Sequence, residues 1–437
     1  MLINPTAIFE AYQQMEISRG SRSLSFIEKR NDYRPATGSA PFEVNEIFFS
    51  RTDKRGIILA SNYIFKRVTG FEWEEILGAP HNLIRHPDMP KGVFWLFWET
   101  LNSGQPIGVY VKNRANDGLY YWTFAVAMPF QDGFLSVRIK PTGELLGIVE
   151  KEYEALRKAE TEDGFSPEES AAKFLRWVQA LGYEDYQTFA SDALTQELFA
   201  RDVAMGNKRA TESGSFTKML SVADGLQTET AALSCGFEAI STVPTNMRII
   251  AARLEPSGGA VSSLAQNYWE MSEEMSRWFQ DFVDGSDSNF ATIRSALVAS
   301  QFMFGISRIL NEVVTIFSSE RRSLGNTDIG NEKNQMNEMA KHFSEKAESG
   351  LRRVVHESEQ ILRAISMMRR FALGLSSTRV MCNIESARLP SGGGSLIDVI
   401  NQLEVFQKNL NVQMDQIEAQ SHEIKEYTQT LLSGGAG

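Results

Sequence analysis

Nine residues, Asn82-Leu83-Ile84-Arg85-His86-Pro87-Asp88-Met89-Pro90, place a guanidinium, an imidazole and a carboxylate around two prolines in an otherwise apolar stretch. Each proline fixes its own φ and pushes the preceding residue, His86 or Met89, toward extended backbone, so the segment is expected to be a rigid irregular turn rather than a helix. A rigid turn can hold hydrogen-bonding groups at fixed angles toward a ligand. The competing reading is local: Arg85, His86 and Asp88 form a structural ion pair that stabilises the turn.

The elements around this turn follow from periodicity. Glu43–Phe49 and Gly56–Ala60 are β-prone runs about the turn Asp53-Lys54-Arg55-Gly56 and predict a hairpin. Helical spacing follows over Asn62–Thr69, with Asn62 as its cap. An aromatic helix, Gly92-Val93-Phe94-Trp95-Leu96-Phe97-Trp98, runs to the stop Asn102-Ser103-Gly104. Three strands then occupy Ile107–Lys140, joined at Asn116-Asp117-Gly118 and Gln131-Asp132-Gly133, both hairpin signals.

Two strands, short helices and three antiparallel strands form the order of a PAS domain. Arg85-His86-Pro87-Asp88-Met89-Pro90, followed by Val111-Lys112-Asn113-Arg114 and Gly118-Leu119-Tyr120-Tyr121-Trp122, resembles the PAS domain of aerotaxis receptors over Phe42–Gly143. That resemblance implies a five-stranded antiparallel sheet with helices, and bound FAD reporting redox state. Those receptors usually carry a Trp before the glycine leading into the Lys-Asn-Arg strand, whereas this chain has Ile107-Gly108. One stacking ring is therefore expected to be missing.

A flavin needs a planar apolar slot and a few fixed polar groups. Phe94, Trp95, Trp98, Trp122 and Phe124 are candidates for the slot, and Arg85, His86, Asp88 and Asn113 for its polar edge. Any one of these aromatics taken singly is better explained by the core. Haem is the rival cofactor and needs an axial donor, for which this segment offers His81 and His86. Neither Cys235 nor Cys382 falls in the segment, which disfavours a light-driven cysteine adduct and leaves reversible redox.

Composition narrows the rest. A net charge of -11 and 437 residues suit two or three domains and argue against a nucleic-acid or anionic-membrane partner, which would want a basic face. Two cysteines read as reduced thiols rather than a disulfide framework. Met1–Gly20 lacks the pattern of a secretory signal, and the most apolar window, Leu297–Phe317, is broken by Gln301, Arg308, Asn311 and Glu312. The expectation is a cytoplasmic protein without membrane insertion.

The remainder reads as helix. Residues 1–40 are an N-terminal helix (Thr6–Ile17) and a flexible lead, 41–144 the sensor domain, and 145–206 a helical connector with a charged exit helix from Leu145 and a capped start at Ser166-Pro167. Beyond it, Ala252-Arg253-Leu254-Glu255-Pro256-Ser257-Gly258-Gly259 recurs as Ala387-Arg388-Leu389-Pro390-Ser391-Gly392-Gly393, a spacing of 135 residues (388 minus 253). The break at Gly325–Asn331 lies midway, so 207–324 and 331–433 predict two helical hairpins folded as a long antiparallel four-helix coiled-coil bundle, with a kink at Gly285-Ser286.

The hairpin tips, through Ile384-Glu385-Ser386-Ala387-Arg388 and more loosely Thr245-Asn246 with Arg253, resemble those of methyl-accepting chemotaxis receptors. That resemblance implies Arg253, Glu385 and Arg388 as partner-binding residues, with the chemotaxis kinase, its coupling protein or receptors as partners; PAS-mediated homo-oligomerisation is a further expectation. The fold class is thus α+β. The function expected is a non-enzymatic redox or oxygen sensor for chemotaxis, holding FAD, with a cofactor-free interaction scaffold as the alternative.

Overall fold

The computed structural model describes residues 34–207, 210–240, 243–253, 259–283, 288–319, 328–388 and 394–434. The helix expected at Thr6–Ile17, the kink at Gly285-Ser286, both Pro-Ser-Gly-Gly turns and residues 325–327 of the midway break lie outside them. The chain divides into two compact units, one built from Met1–Met205 and Arg308–Glu338, the other from Gly206–Ser307 and Met339–Gly437.

The first unit contains a five-stranded antiparallel sheet, ordered β2-β1-β5-β4-β3: β1 (Ile47–Asp53), β2 (Ile58–Ser61), β3 (Ile107–Arg114), β4 (Tyr120–Phe130) and β5 (Gly133–Ile139). The β1–β2 turn closes because Asp53 Oδ1 accepts from the backbone N–H of Arg55 and Ile57 at 2.8 and 2.9 Å. At the β4–β5 turn, Phe130 pairs with Gly133. A Cβ there would stand 1.9 Å from the Thr52 carbonyl, so β1 and β5 can approach only with glycine at this position.

Between β2 and β3 lie α1 (Tyr63–Thr69), α2 (Trp73–Ile76) and α3 (Lys91–Asn102). Asn62 stands at the α1 N-cap but makes no side-chain capping bond. Its amide instead accepts from Phe49 N–H at 3.3 Å and donates to the Ile47 carbonyl at 3.1 Å, so a buried polar side chain serves the strand instead of the helix. The proline-rich turn also differs from expectation in its first half: His81–Ile84 form a single 3-10 turn, which Pro80, already at φ −69° before it, helps to start.

After the sheet come α4 (Leu145–Thr161), α5 (Pro167–Ala180) and α6 (Tyr186–Met205). Ser166 and Glu169 form a reciprocal capping box at the start of α5. These helices cover one face of the sheet: the Tyr153 hydroxyl donates to the Tyr110 carbonyl at 3.0 Å, and that of Tyr186 to the Gly108 carbonyl at 2.8 Å. Phe174 packs against the Tyr153 ring at 5.7 Å.

The second unit is helical: α7 (Ala210–Ile240), α8 (Val243–Arg253), α9 (Gly259–Val283), and parts of α10 (Asn289–Ser319) and α11 (Ile329–Arg388), with α12 (Gly394–Gly434). Cross-helix pairs give the register. Glu359 meets Lys425, Arg369 meets Asp415, and Arg379 meets Glu404, so α11 and α12 run antiparallel. Asp224 with Arg294 and Phe216 with Phe304 set α7 antiparallel to α10, and Asn289 with Glu357 together with the Ser307 hydroxyl on the Ala340 carbonyl do the same for α10 and α11. Leu226, Leu297, Leu351, Leu375, Leu403 and Leu410 belong to one apolar core drawn from all of these helices. Among the described residues no helix is long and apolar enough to cross a membrane.

Candidate ligand cavity

Strand alternation separates the two faces of the sheet. One face, with Ser50, Thr52, Val111, Asn113, Ala125, Ala127, Ser136 and Arg138, looks into a cavity of ≈ 290 Å³. The opposite wall comes from the proline-rich turn and α3: His81, Asn82, Arg85, Phe94, Phe97, Trp98 and Leu101. Aromatic edges fix that wall, since Trp98 meets Phe97 and Phe134 edge-on at 5.4 and 5.5 Å. Small residues on β4, Ala125 and Ala127, leave the space open where larger side chains would fill it.

The polar groups gather at two points. Arg85 is held against β3 by a backbone bridge to Asn113, with its guanidinium carbon 3.6 Å from the Phe94 ring centre. Burial lowers the Arg85 pKa, and its Nε is buried without an acceptor. Asn113 is itself buried, donating to Thr123 Oγ1 at 3.2 Å. At the second point, Arg138 donates from Nη1 to Ser50 Oγ at 2.9 Å and from Nη2 to His81 Nε2 at 2.8 Å. A guanidinium has no acceptor to offer, so His81 Nε2 must be the acceptor and the ring carries its proton on Nδ1. Burial, with the Arg138 charge beside it, holds His81 well below the ordinary imidazole value. Burial also lowers Arg138 to about 10.

Among the described residues the lining contains Arg55, Arg85, Arg138 and His81 but no Asp or Glu. A buried cation without a carboxylate is costly unless something else supplies acceptors. The cavity is therefore suited to a flat ligand with an acceptor-rich edge or a negative charge.

Of the residues expected from sequence, Arg85, Phe94, Trp98 and Asn113 line this cavity, whereas Phe124 packs against the Tyr110 ring at 4.9 Å. His86 and Asp88 turn elsewhere. Asp88 Oδ2 accepts from Lys112 Nζ at 2.7 Å and lies 3.3 Å from His86 Nδ1, the hydrogen bond to Lys112 holding the Asp88 carboxyl below its usual range. This is the structural ion pair of the local reading, with Lys112 in place of Arg85. Trp122 and Asp88 border a separate cavity of ≈ 230 Å³ with Met89, Lys112, Tyr153 and Arg157, and Trp95 is 37% exposed outside both. Ser50, His81 and Arg138 were not among the sequence candidates for the polar edge. The available signal was strand alternation, which puts Ser136 and Arg138 on the same face while Val137 and Ile139 take the other. Arg253 and Arg388 are the last residues of α8 and α11, but their side chains lie outside the described residues. Glu385 lies within α11.

This fold and cavity define a PAS domain, and residues 58–136 match the family model of the PAS fold. More particularly, the chain is similar to the aerotaxis receptor of Escherichia coli (strain K12), 38% identical over 128 residues. That match covers 28% of this chain and 25% of the receptor, so the chain spans about a quarter of its relative's length. The front of the first unit is thus an aerotaxis-receptor-like PAS domain. A solved fungal LOV domain photoreceptor is also similar, at 15% identity and a TM-score of 0.19, over 31% of this chain and 90% of that one.

Proposed function

We propose that this protein is a cytoplasmic signal transducer of the aerotaxis type, which senses redox state or oxygen through a flavin held in the PAS cavity and relays it through its helical unit. The observation that carries this reading is the pair of arginines, half-buried Arg85 and buried Arg138, lining an aromatic-walled cavity that has no carboxylate among its described lining residues. Phe94, Phe97, Trp98 and Phe134 would bracket the ring system, while Arg85, Asn113, Ser50 and Arg138 would meet its polar edge. A flavin supplies reversible uptake of electrons together with protons.

The residues of this chain respond to a charge change without moving far. Arg138 already splits its donors between Ser50 and His81, so a more negative ligand edge competes for them. His81, freed from the guanidinium, becomes a better base. Haem fits this geometry less well, because Nε2 of His81, the one imidazole among the described lining residues, is already taken by Arg138. In this reading the output is by contact of the helical unit, with chemotaxis signalling proteins as partners through Arg253, Glu385 and Arg388, and without catalysis.

Cofactor released by heat from the purified full chain tests the proposal. FAD in near one-to-one yield, after reconstitution if needed, supports it. Haem alone, or no uptake of any flavin, would overturn it and favour the scaffold reading.

A further inference from the structure

Resting on that sensor reading, we infer that α6 is a buried crossbar: it locks the turn by which the chain leaves the sheet to the stretch of α10 after Ser307, so that a displaced turn is felt in α10. Thr142 and Gly143, between β5 and α4, have their backbone N–H groups tied to one carboxylate oxygen of Glu197, at 2.6 and 2.9 Å. The other oxygen accepts from the Tyr110 hydroxyl of β3 at 2.8 Å. Glu197 is 0% exposed, and a Cβ on Gly143 would stand 2.9 Å from it. This carboxylate is therefore held by three donors from the sheet and its exit turn.

One helical turn further along α6, Arg201 is 2% exposed. It donates to the carbonyls of Val44 and Asn45, at 2.8 and 3.2 Å, where the chain enters β1, and it pairs with Glu312 of α10. The next residue, Asp202, accepts from Arg308 Nη2 at 2.5 Å, and Arg308 Nε reaches back to Glu312 at 3.1 Å. Side chains four apart on a helix share a face, so a single edge of α6 holds the sheet's entry, its exit turn and α10. Releasing any of these would strand a buried charge or donor, which is expensive. The turn, α6 and this part of α10 should therefore shift together or not at all.

The test is amide hydrogen exchange on the full chain carrying Glu197→Ala. Peptides spanning Thr142–Gly143 and Arg308–Glu312 should both exchange roughly tenfold faster, the factor expected when one buried hydrogen-bond set no longer opposes local opening, while the β1–β2 hairpin stays unchanged. Acceleration at Thr142–Gly143 alone would overturn the inference. If the variant loosens everywhere, Arg308→Met decides from the other end. Because coupling is reciprocal, it must speed exchange at Thr142–Gly143, and an unaffected turn refutes the crossbar. Neither Glu197 nor Arg308 lines the ligand cavity, so a wild-type chain that binds no flavin defeats the sensor reading separately and leaves the exchange result to stand or fall on its own.

Discussion

Arg138 Nη2 lies 2.8 Å from His81 Nε2, a cation donating to an imidazole whose proton affinity is held down by burial and by that neighbouring charge. The consequence for stability has a definite sign. The His81 pKa is depressed in the folded protein, so as pH falls below the ordinary value of about 6.5 the unfolded chain takes up a proton that the native state refuses. Stability is full above that pH and should decline below it, with a limiting slope of about 1.4 kcal/mol per pH unit from this one group. Urea unfolding of wild type and His81→Gln between pH 5 and 6.5, above the range where carboxylates titrate, checks this: the variant should show the shallower decline, and parallel curves would argue against a neutral, Arg-bonded His81.

Two tryptophans of the same helix should behave oppositely. Trp98 lines the cavity and packs edge-on against Phe97 and Phe134, so Trp98→Ala should cost about 3 kcal/mol and weaken flavin uptake at least tenfold. Trp95 is 37% exposed, and Trp95→Ala should stay within about 0.5 kcal/mol of wild type. Thermal melts and flavin titrations of the two variants measure both quantities.

The hairpins were legible from sequence because Asn-Asp-Gly and Gln-Asp-Gly state their turn chemistry locally, and the strands around them follow. Arg85 was legible because a rigid proline turn stands out, and Asn113 because it sits in the Val111-Lys112-Asn113-Arg114 run that carries the resemblance. Trp122 was harder to place: aromatic content says nothing of which face a strand presents, and Trp122 borders the cavity on the other side from Asn113. For Arg138 strand alternation gives the face, but that Ser50, His81 and Arg138 meet leaves no local trace, since their bonds join residues 31, 57 and 88 positions apart. Asn62 shows the same limit, having the right type for a cap while its hydrogen bonds go to β1.

Glycine substitutions separate close packing from backbone strain. At Gly133 an added Cβ meets the Thr52 carbonyl at 1.9 Å, and Gly133→Ala should cost about 3 kcal/mol or more because two hydrogen-bonded strands must part. At Gly118, φ is +86° with open space around the Cβ position, so Gly118→Ala should cost only about 1–2 kcal/mol. Chemical denaturation midpoints would show the difference, and equal costs would contradict the strand approach described for β1 and β5.

In the helical unit the core should outweigh the surface pairs. Leu410 is fully buried and Leu410→Ala should cost about 2–5 kcal/mol. Arg369, although it reaches both Asp415 and Glu418, is partly exposed, and Arg369→Ala should cost about 1 kcal/mol or less, and less still in high salt. Circular-dichroism melts at two salt concentrations distinguish these.

The most direct measurement is a visible-absorption titration of FAD into the ligand-free full chain, run beside Arg138→Met. The wild type should saturate with one flavin, whose bands bleach reversibly with dithionite, and Arg138→Met should bind at least tenfold more weakly while remaining folded. A wild-type chain that takes up no flavin, or an arginine variant that binds equally well, would contradict the cavity's assignment as an acceptor-seeking flavin site.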